Sequence, residues 1–308
     1  MSVLLDFILL LLALALAFRV ATVQDTLGAV IAFVGLGIVL ALVWVRLDAI
    51  DVALTEAAVG SGITGLLLVR AASRLPSSQA RAPAPALKLA AGLLSALLAG
   101  ALAAVVLLLP EPAPTLALEA ARHLPQTGLG NPVTAVLVAY RALDTLLETV
   151  VLLLALVGVW SLGPDRAWGG HPEPLAPMPA APPLSFLGRV LPPFGILLGV
   201  HLAWTGADNP GGAFQGGAVI AAMLLLLLMA GHARMPALSG QRLRVLVILG
   251  PAVFMLIGLV GVLATGSFLG FPESIAKPLI LFVEAALILS IAVALGLLVA
   301  GPATRAAQ

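Results

Sequence analysis

The chain has 308 residues, 61% of them hydrophobic and only 9% charged, with a net charge of +1 and a mean hydropathy of +1.17. A soluble domain carries about 25% charged residues, so water cannot solvate this surface and lipid must cover it; the near-zero charge leaves no electrostatic footprint for nucleic acid. With no cysteine in the chain, disulfides, zinc–thiolate sites and iron–sulfur clusters held by its own thiolates are excluded.

Apolar runs of about 20 residues suffice to cross roughly 30 Å of hydrocarbon. Nine are predicted, at about 3–23, 26–46, 49–70, 87–109, 132–162, 186–205, 212–231, 243–265 and 275–300, which makes the class all-α and polytopic. The first run lacks a basic leader, carries Asp6 and shows no small-x-small cleavage pattern, so it reads as a retained helix. Lys and Arg in the connections set the orientation. With the N-terminus outside, the inner segments hold Arg19, Arg70, Arg74, Arg81, Lys88, Arg166, Arg189, Arg234, Arg242, Arg244 and Arg305, which is 11 of the 15 basic residues. The outer segments hold Arg46, Arg122 and Lys277, so the expectation is N-out and C-in.

The third run opens Asp48-Ala-Ile-Asp51-Val-Ala-Leu-Thr55-Glu56, placing Asp48, Asp51 and Thr55 on one helical face. Asp48 and Asp51 read either as a polar helix start favoured by the helix dipole or as part of an ion site. Glu56 lies deeper, where an acid is a functional candidate by default, although a buried acid without a transport role remains the alternative. A short proline-rich stretch, Pro76 to Pro85, separates the third run from the fourth.

The fifth run starts with Asn131-Pro132, a capping Asn followed by Pro at the first helical position. It would be about 46 Å long at 1.5 Å per residue, so either it projects beyond the bilayer or it bends near Tyr140 and Arg141. Arg141, Asp144 and Glu148 share a stripe at spacings of three and four. They form either an intrahelical ion network or a cation stop at Glu148 tuned by Arg141. Seven prolines between Gly163 and Pro183 predict an extended inner linker joining five helices to four.

In the sixth run, His201 is either a proton relay or a structural polar contact. The sixth and seventh runs are joined by Pro210-Gly211-Gly212-Ala213-Phe214-Gln215-Gly216-Gly217. Its glycines permit positive φ and a close backbone approach, and a tight hairpin accounts for them without any ligand. In the ninth run, Lys277 and Glu284 are seven apart and nearly on one face; Glu284 is an ion site or a contact with another chain. In the N-out arrangement Asp6, Glu56, Glu148 and Glu284 all fall in the outer half of the bilayer. A charge at a helix centre costs about 2.5–3.5 kcal/mol, so several unpaired acids require water, protonation or partner chains. No metal-ligand spacing, cofactor motif or nucleophile–base pair is present, and an enzyme is not expected.

These residues resemble known families. Residues 193–217, with the Pro-Gly-Gly-Ala-Phe-Gln-Gly-Gly core, resemble the MnhB component of Mrp/Mnh-type multisubunit Na+/H+ antiporters, although the family's usual His is Ala207 here; Glu284-Ala-Ala matches a later feature loosely. Asp51-Val-Ala-Leu-Thr55-Glu56 resembles the MbhD-type module, found in membrane-bound hydrogenases and at the end of the large antiporter component. Asn131-Pro132 with Tyr140-Arg141-x-x-Asp144-x-x-x-Glu148 resembles the MbhE-type module, with Ala139 where an acid often stands. The resemblance implies modules at 1–75, 86–162 and 184–302 with a cytoplasmic linker at 163–183. It further implies one membrane component of a multisubunit Na+/proton antiporter in the bacterial inner membrane, lining or supporting the cation path and inactive alone. Its partners would be large proton-channel subunits and small membrane subunits. The alternatives are a membrane-arm component of a hydrogenase-like or respiratory ion-pumping complex, and a helix scaffold with no ion site. On the first reading Glu56 and Glu148 handle the ion, with Asp51, Asp144 and Arg141 around them.

Overall fold

A computed structural model describes residues 2–75, 84–175 and 180–305. The first hairpin is α1 (Ser2–Thr22) and α2 (Thr26–Arg46), turned at Asp25, whose carboxylate accepts the Gly28 N–H at 2.7 Å and so caps α2. The third run is one rod made of α3 (Ile50–Thr55), a π-helical stretch (Glu56–Ile63) and α4 (Thr64–Arg74). There follow α5 (Pro85–Leu108), α6 (Ala117–Thr127), α7 (Pro132–Thr134), a second π-helical stretch (Ala135–Tyr140) and α8 (Ala142–Ser161). The last four helices are α9 (Pro182–Thr205), α10 (Ala213–Met229), α11 (Gln241–Thr265) and α12 (Ala276–Ala300).

The chain is an all-α polytopic membrane protein. Among the described residues eight helices are long and apolar enough to cross a bilayer. The remaining expected span corresponds to α10, whose 17 residues give about 25 Å. The small helix α6 was not expected, because it is too polar and short to register as a span. It ends at Gly128 in the left-handed conformation, φ 68°.

Both π-helical stretches have local causes. In the first, Ser61 Oγ donates to the Glu56 carbonyl (3.0 Å) and Thr64 Oγ1 to the Val59 carbonyl (2.8 Å), each five residues back. An alanine Cβ at Gly62 would stand 2.8 Å from the Ala57 carbonyl, so the widened turn is built on glycine. The second stretch ends in a break. Arg141 leaves helical geometry (φ −122°, ψ 34°), and Thr145 Oγ1 reaches back to the Leu137 carbonyl at 2.6 Å, satisfying a group the break exposes. Residues 132–162 are therefore not one long helix. The bend at Arg141 resolves the excess length.

α12 is the core helix. Sixteen of its residues are buried, and it packs on α8, α10 and α11. Ser290 donates to the Val247 carbonyl of α11, and Gly250 leaves the room this needs, since a Cβ there would stand 2.8 Å from that of Ser290. α9 and α10 cross at Gly199 and Gly216. A Cβ at Gly199 would meet the Gly216 carbonyl at 2.8 Å, and one at Gly216 would run into the Gly199 carbonyl. Small residues at such a crossing let backbones touch. Gly216→Val is expected to force this pair apart at an overpacking cost of about 1–3 kcal/mol, read as a lower melting temperature of the purified protein. In contrast, α5 has no buried residue and leaves its whole circumference to lipid or other chains.

At the end opposite the glycine-rich turn, the described residues of the proline-rich joint are folded against the bundle and do not form an extended linker. Asp165–Ala167 form a 3-10 turn, and β1 (His171–Pro172) pairs antiparallel with β2 (Ala303–Arg305). The Leu238 and Ser239 N–H groups donate to the Gly170 and Gly169 carbonyls at 2.9 and 2.8 Å, and Arg74 pairs with Glu173. Its neighbours' backbone groups find partners around the prolines, which is what an isolated polyproline segment lacks. Pro177 and Pro179, like Pro76 and Arg81, lie outside the described residues.

Candidate functional site

The polar side chains gather at one end of the bundle, where the starts of α3, α7, α10 and α12 meet. Asp48 does not join the helical face expected of it. It sits before α3 at φ 57°, and the helix begins at Ile50. Asp51, in the first turn, is buried and accepts the Gly211 N–H at 2.9 Å and the Asn131 amide at 3.3 Å. Asn131 does four things at once. Its Oδ1 accepts the Val133 N–H (2.9 Å) and caps α7, while its Nδ2 also donates to the Gly206 and Asn209 carbonyls at 3.3 and 3.0 Å. Thr134 Oγ1 adds a 2.6 Å bond to Gly206 O, and the Gly130 and Asn131 N–H groups both donate to the Ala207 carbonyl at 3.0 Å. One buried node thus joins segments 80 and 160 residues apart in sequence. Buried polar groups persist only when so satisfied.

Just outside the node, Lys277 Nζ holds both oxygens of Asp208 at 2.7 and 2.8 Å, and the Gly130 N–H donates to Asp208 Oδ1 at 3.1 Å. The Lys277 ammonium keeps the Asp208 carboxyl below its usual pKa. A lowered carboxylate pKa gives stability that is complete above the unfolded value, about 3.9, and is lost as pH falls through the folded value. Both side chains are well exposed, at 34% and 49%, so the pair is worth under about 1 kcal/mol. Lys277→Gln is expected to lower the melting temperature slightly at pH 7, less at high salt and not at all near pH 2.

Pro210, Gly211, Gly212, Phe214, Gln215, Gly216 and Gly217 form the turn and first helical turns opposite Asp51. Gly211 and Gly212 have φ 152° and 132°, the region in which glycine is needed. Gln215 is buried and its Nε2 donates to Thr55 Oγ1 at 3.0 Å; Thr55 Oγ1 donates to the Asp51 carbonyl at 2.9 Å. Glu284, 4% exposed, lies close by. The point where a Gly212 Cβ would stand is 3.2 Å from Gln215 Oε1 and 3.5 Å from Glu284 Oε1.

Glu56 occupies a different recess. Its carboxylate folds back over its own helix between two glycines: a Cβ on Gly60 would be 2.6 Å and one on Gly37 of α2 2.8 Å from Glu56 Oε1. It is half-buried.

Other expected site residues are elsewhere. Arg141 pairs with Asp144 at 2.6 Å, both exposed, as the ion-network alternative expected, but Arg141 stands at the helix break and no ion pair extends to Glu148 among the described residues. Glu148 is exposed on α8, away from the face that α8 buries. His201 is exposed on α9, and among the described residues no side-chain hydrogen bond joins it to these acids. Asp6 is bound by Arg46 at 2.8 and 3.2 Å, which removes it from the expected cluster of unpaired acids. Sequence reasoning missed the Thr55–Gln215 bond and the central place of Asn131. The only signal for the latter was its capping position before Pro132.

The two sides of this node match two known families. Residues 11–77 match the MbhD family, described as the D component of MBH, and residues 183–304 match a domain related to the MnhB subunit of Na+/H+ antiporter. The chain joins an MbhD-like part to an MnhB-like part. The Asp51–Gly211 and Thr55–Gln215 bonds are therefore contacts between these two parts. An uncharacterised protein of Methanocaldococcus jannaschii is 30% identical over 163 residues, 45% of this chain; the chain spans 59% of that relative's length. A chain of the Mrp complex from Dietzia sp. DQ12-45-1b matches with a TM-score of 0.73 and 25% identity, over 95% of this chain and 34% of that one. A chain of the membrane-bound sulfane sulfur reductase, an archaeal respiratory membrane complex, matches with a TM-score of 0.57 and 27% identity, over 69% of this chain and 97% of that one.

Proposed function

We propose that this chain is a membrane subunit of a multisubunit Na+/H+ antiporter-like complex, lining or supporting the cation path and inactive alone. The observation that carries the reading is the docking of the acidic helix of the MbhD-like part onto the glycine-rich turn of the MnhB-like part. That docking holds Asp51 in a fully bonded node and leaves Glu56 and Glu284 without an ion partner among the described residues. Residues 86–162 are read as an MbhE-like insert between the two parts. The chain is a transporter component and not an enzyme, set in the bacterial inner membrane with its N-terminus outside. Large proton-channel subunits and small membrane subunits are its partners, and the exposed apolar helix α5 and the outward Glu148 suit contact with them.

Membrane vesicles lacking only this chain are expected to lose Na+-dependent proton exchange, and re-expression restores it. The purified chain alone in liposomes carries none. Exchange that survives the deletion overturns the reading. The likeness to a respiratory membrane complex favours one second reading, a membrane-arm component of a redox-driven ion pump. Co-purification with nickel–iron or iron–sulfur proteins, in place of antiporter subunits, would select it.

A further inference from the structure

A tight hairpin explains the turn at Gly211 and Gly212 but not the carboxylate placed behind it. Glu284 Oε2 is buried and has no hydrogen-bond partner among the described residues. Glu284 Oε1 and Gln215 Oε1 flank the space that any side chain at position 212 would fill. They lie at the start of α10, a helix of 17 residues whose free N–H groups carry partial positive charge. From Gln215 the hydrogen bonds continue in one direction: its Nε2 donates to Thr55 Oγ1, which donates to the Asp51 carbonyl. The residue after Thr55 is Glu56, the first of the π-helical stretch.

We propose that Glu284 takes up and releases one proton at the start of α10, and that Gln215 and Thr55 transmit its charge state to the acidic helix. When Glu284 is charged, the helix start holds the carboxylate. When a proton adds to one of its oxygens, the new O–H donates to Gln215 Oε1. Every donor between α12 and α3 then points the same way, and the Gln215–Thr55 bond is strengthened by polarisation. The glycine at 212 is what lets Glu284 and Gln215 share this space. The inference rests on the Na+/H+ reading and deepens it. It gives the proton a residue of its own, separate from Glu56, and the bonds from Gln215 end on the Asp51 carbonyl of the helix that carries Glu56. Proton and cation then bias each other's site, which is the reciprocity that exchange requires.

The test uses the purified native complex. On addition of Na+, infrared difference spectra of the wild type are expected to show a change in a protonated-carboxyl band that is missing in Glu284→Gln. In proteoliposomes, Glu284→Gln and Gln215→Leu are each expected to reduce exchange at least about tenfold. Gln215→Leu keeps the carboxyl, so it retains a shifted band and carries the test if Glu284→Gln fails to assemble. A wild-type band that persists in Glu284→Gln, or full exchange by Gln215→Leu, overturns the proposal. A Glu284-dependent band in a complex that carries no Na+ supports the proton site and sinks the antiport reading instead. Exchange with no such band in the wild type does the reverse.

Discussion

Glu56→Gln, introduced into the otherwise intact complex, is expected to cut Na+-dependent exchange by roughly tenfold or more, a barrier change of about 1.4 kcal/mol or more, with normal assembly. The substitution keeps size and shape and removes the ionisable carboxyl group. The position has the features of a working acid: half-buried within a span, free of any ion pair among the described residues, and seated at the onset of a widened helical turn. Its two-glycine recess provides an independent check. Alanine at Gly60 would place a methyl group 2.6 Å from Glu56 Oε1 and must displace the carboxylate, whereas at Gly37 it would also meet the Ser61 Cβ at 2.7 Å, so Gly60→Ala is the variant to use. In a helix, Gly→Ala ordinarily adds up to about 1 kcal/mol of stability. A variant that loses exchange while melting no lower than the wild type therefore points to the displaced carboxylate and not to a weakened helix. Full exchange by Glu56→Gln, measured as Na+-induced proton movement in inside-out vesicles, removes this residue from the mechanism.

The second large effect is structural. Asn131→Ala removes the amide that serves Asp51, Gly206 and Asn209, and the oxygen that caps α7. The Gly206 carbonyl keeps the Thr134 hydroxyl and Asp51 keeps the Gly211 N–H, so the main cost is the lost amide bond to a buried carboxylate, about 1.5–3 kcal/mol, and loss of a cap adds about 1 kcal/mol. The loss is expected to total several kcal/mol, enough to lower the melting temperature of the purified protein markedly and to reduce yield. Asp51→Asn, which keeps the shape and the Gly211 contact, is expected to cost less than Asn131→Ala. Equal melting temperatures for the wild type and Asn131→Ala would show that the node does not hold the two parts together. Because the node and Glu56 are separate, the first experiment reads function and this one reads assembly.

Some of this was legible from residue order. The membrane-spanning runs, the hairpin signal at Pro210-Gly211-Gly212 and the likeness of both ends to known families all rest on local pattern, and the helices lie where apolar runs placed them. The bend at Arg141 was one of two solutions demanded by excess length. Other expectations failed for one shared reason. Asp51 with Thr55, and Asp144 with Glu148, keep their common faces, but Asp48 and Arg141 were added to them by assuming unbroken helices. One helix starts two residues later than Asp48 and the other breaks at Arg141. Periodicity cannot anticipate a π-helical widening, because that depends on which carbonyls a serine or threonine reaches. The expected cluster of outer acids also dissolved, since Asp6 meets Arg46 forty positions away.

The sequence by itself determined that the chain lives in lipid, about how often it crosses, and the order of its family-like parts, because hydropathy and motif spacing are properties of neighbours along the chain. Only the tertiary structure decided which acids are spent on holding helices together and which remain free. Asp51 is bonded by a backbone amide 160 residues distant, while Glu284 is buried beside a helix start with one oxygen unpartnered among the described residues. Such pairings are set by which helices pack side by side, and nothing in local periodicity encodes that choice.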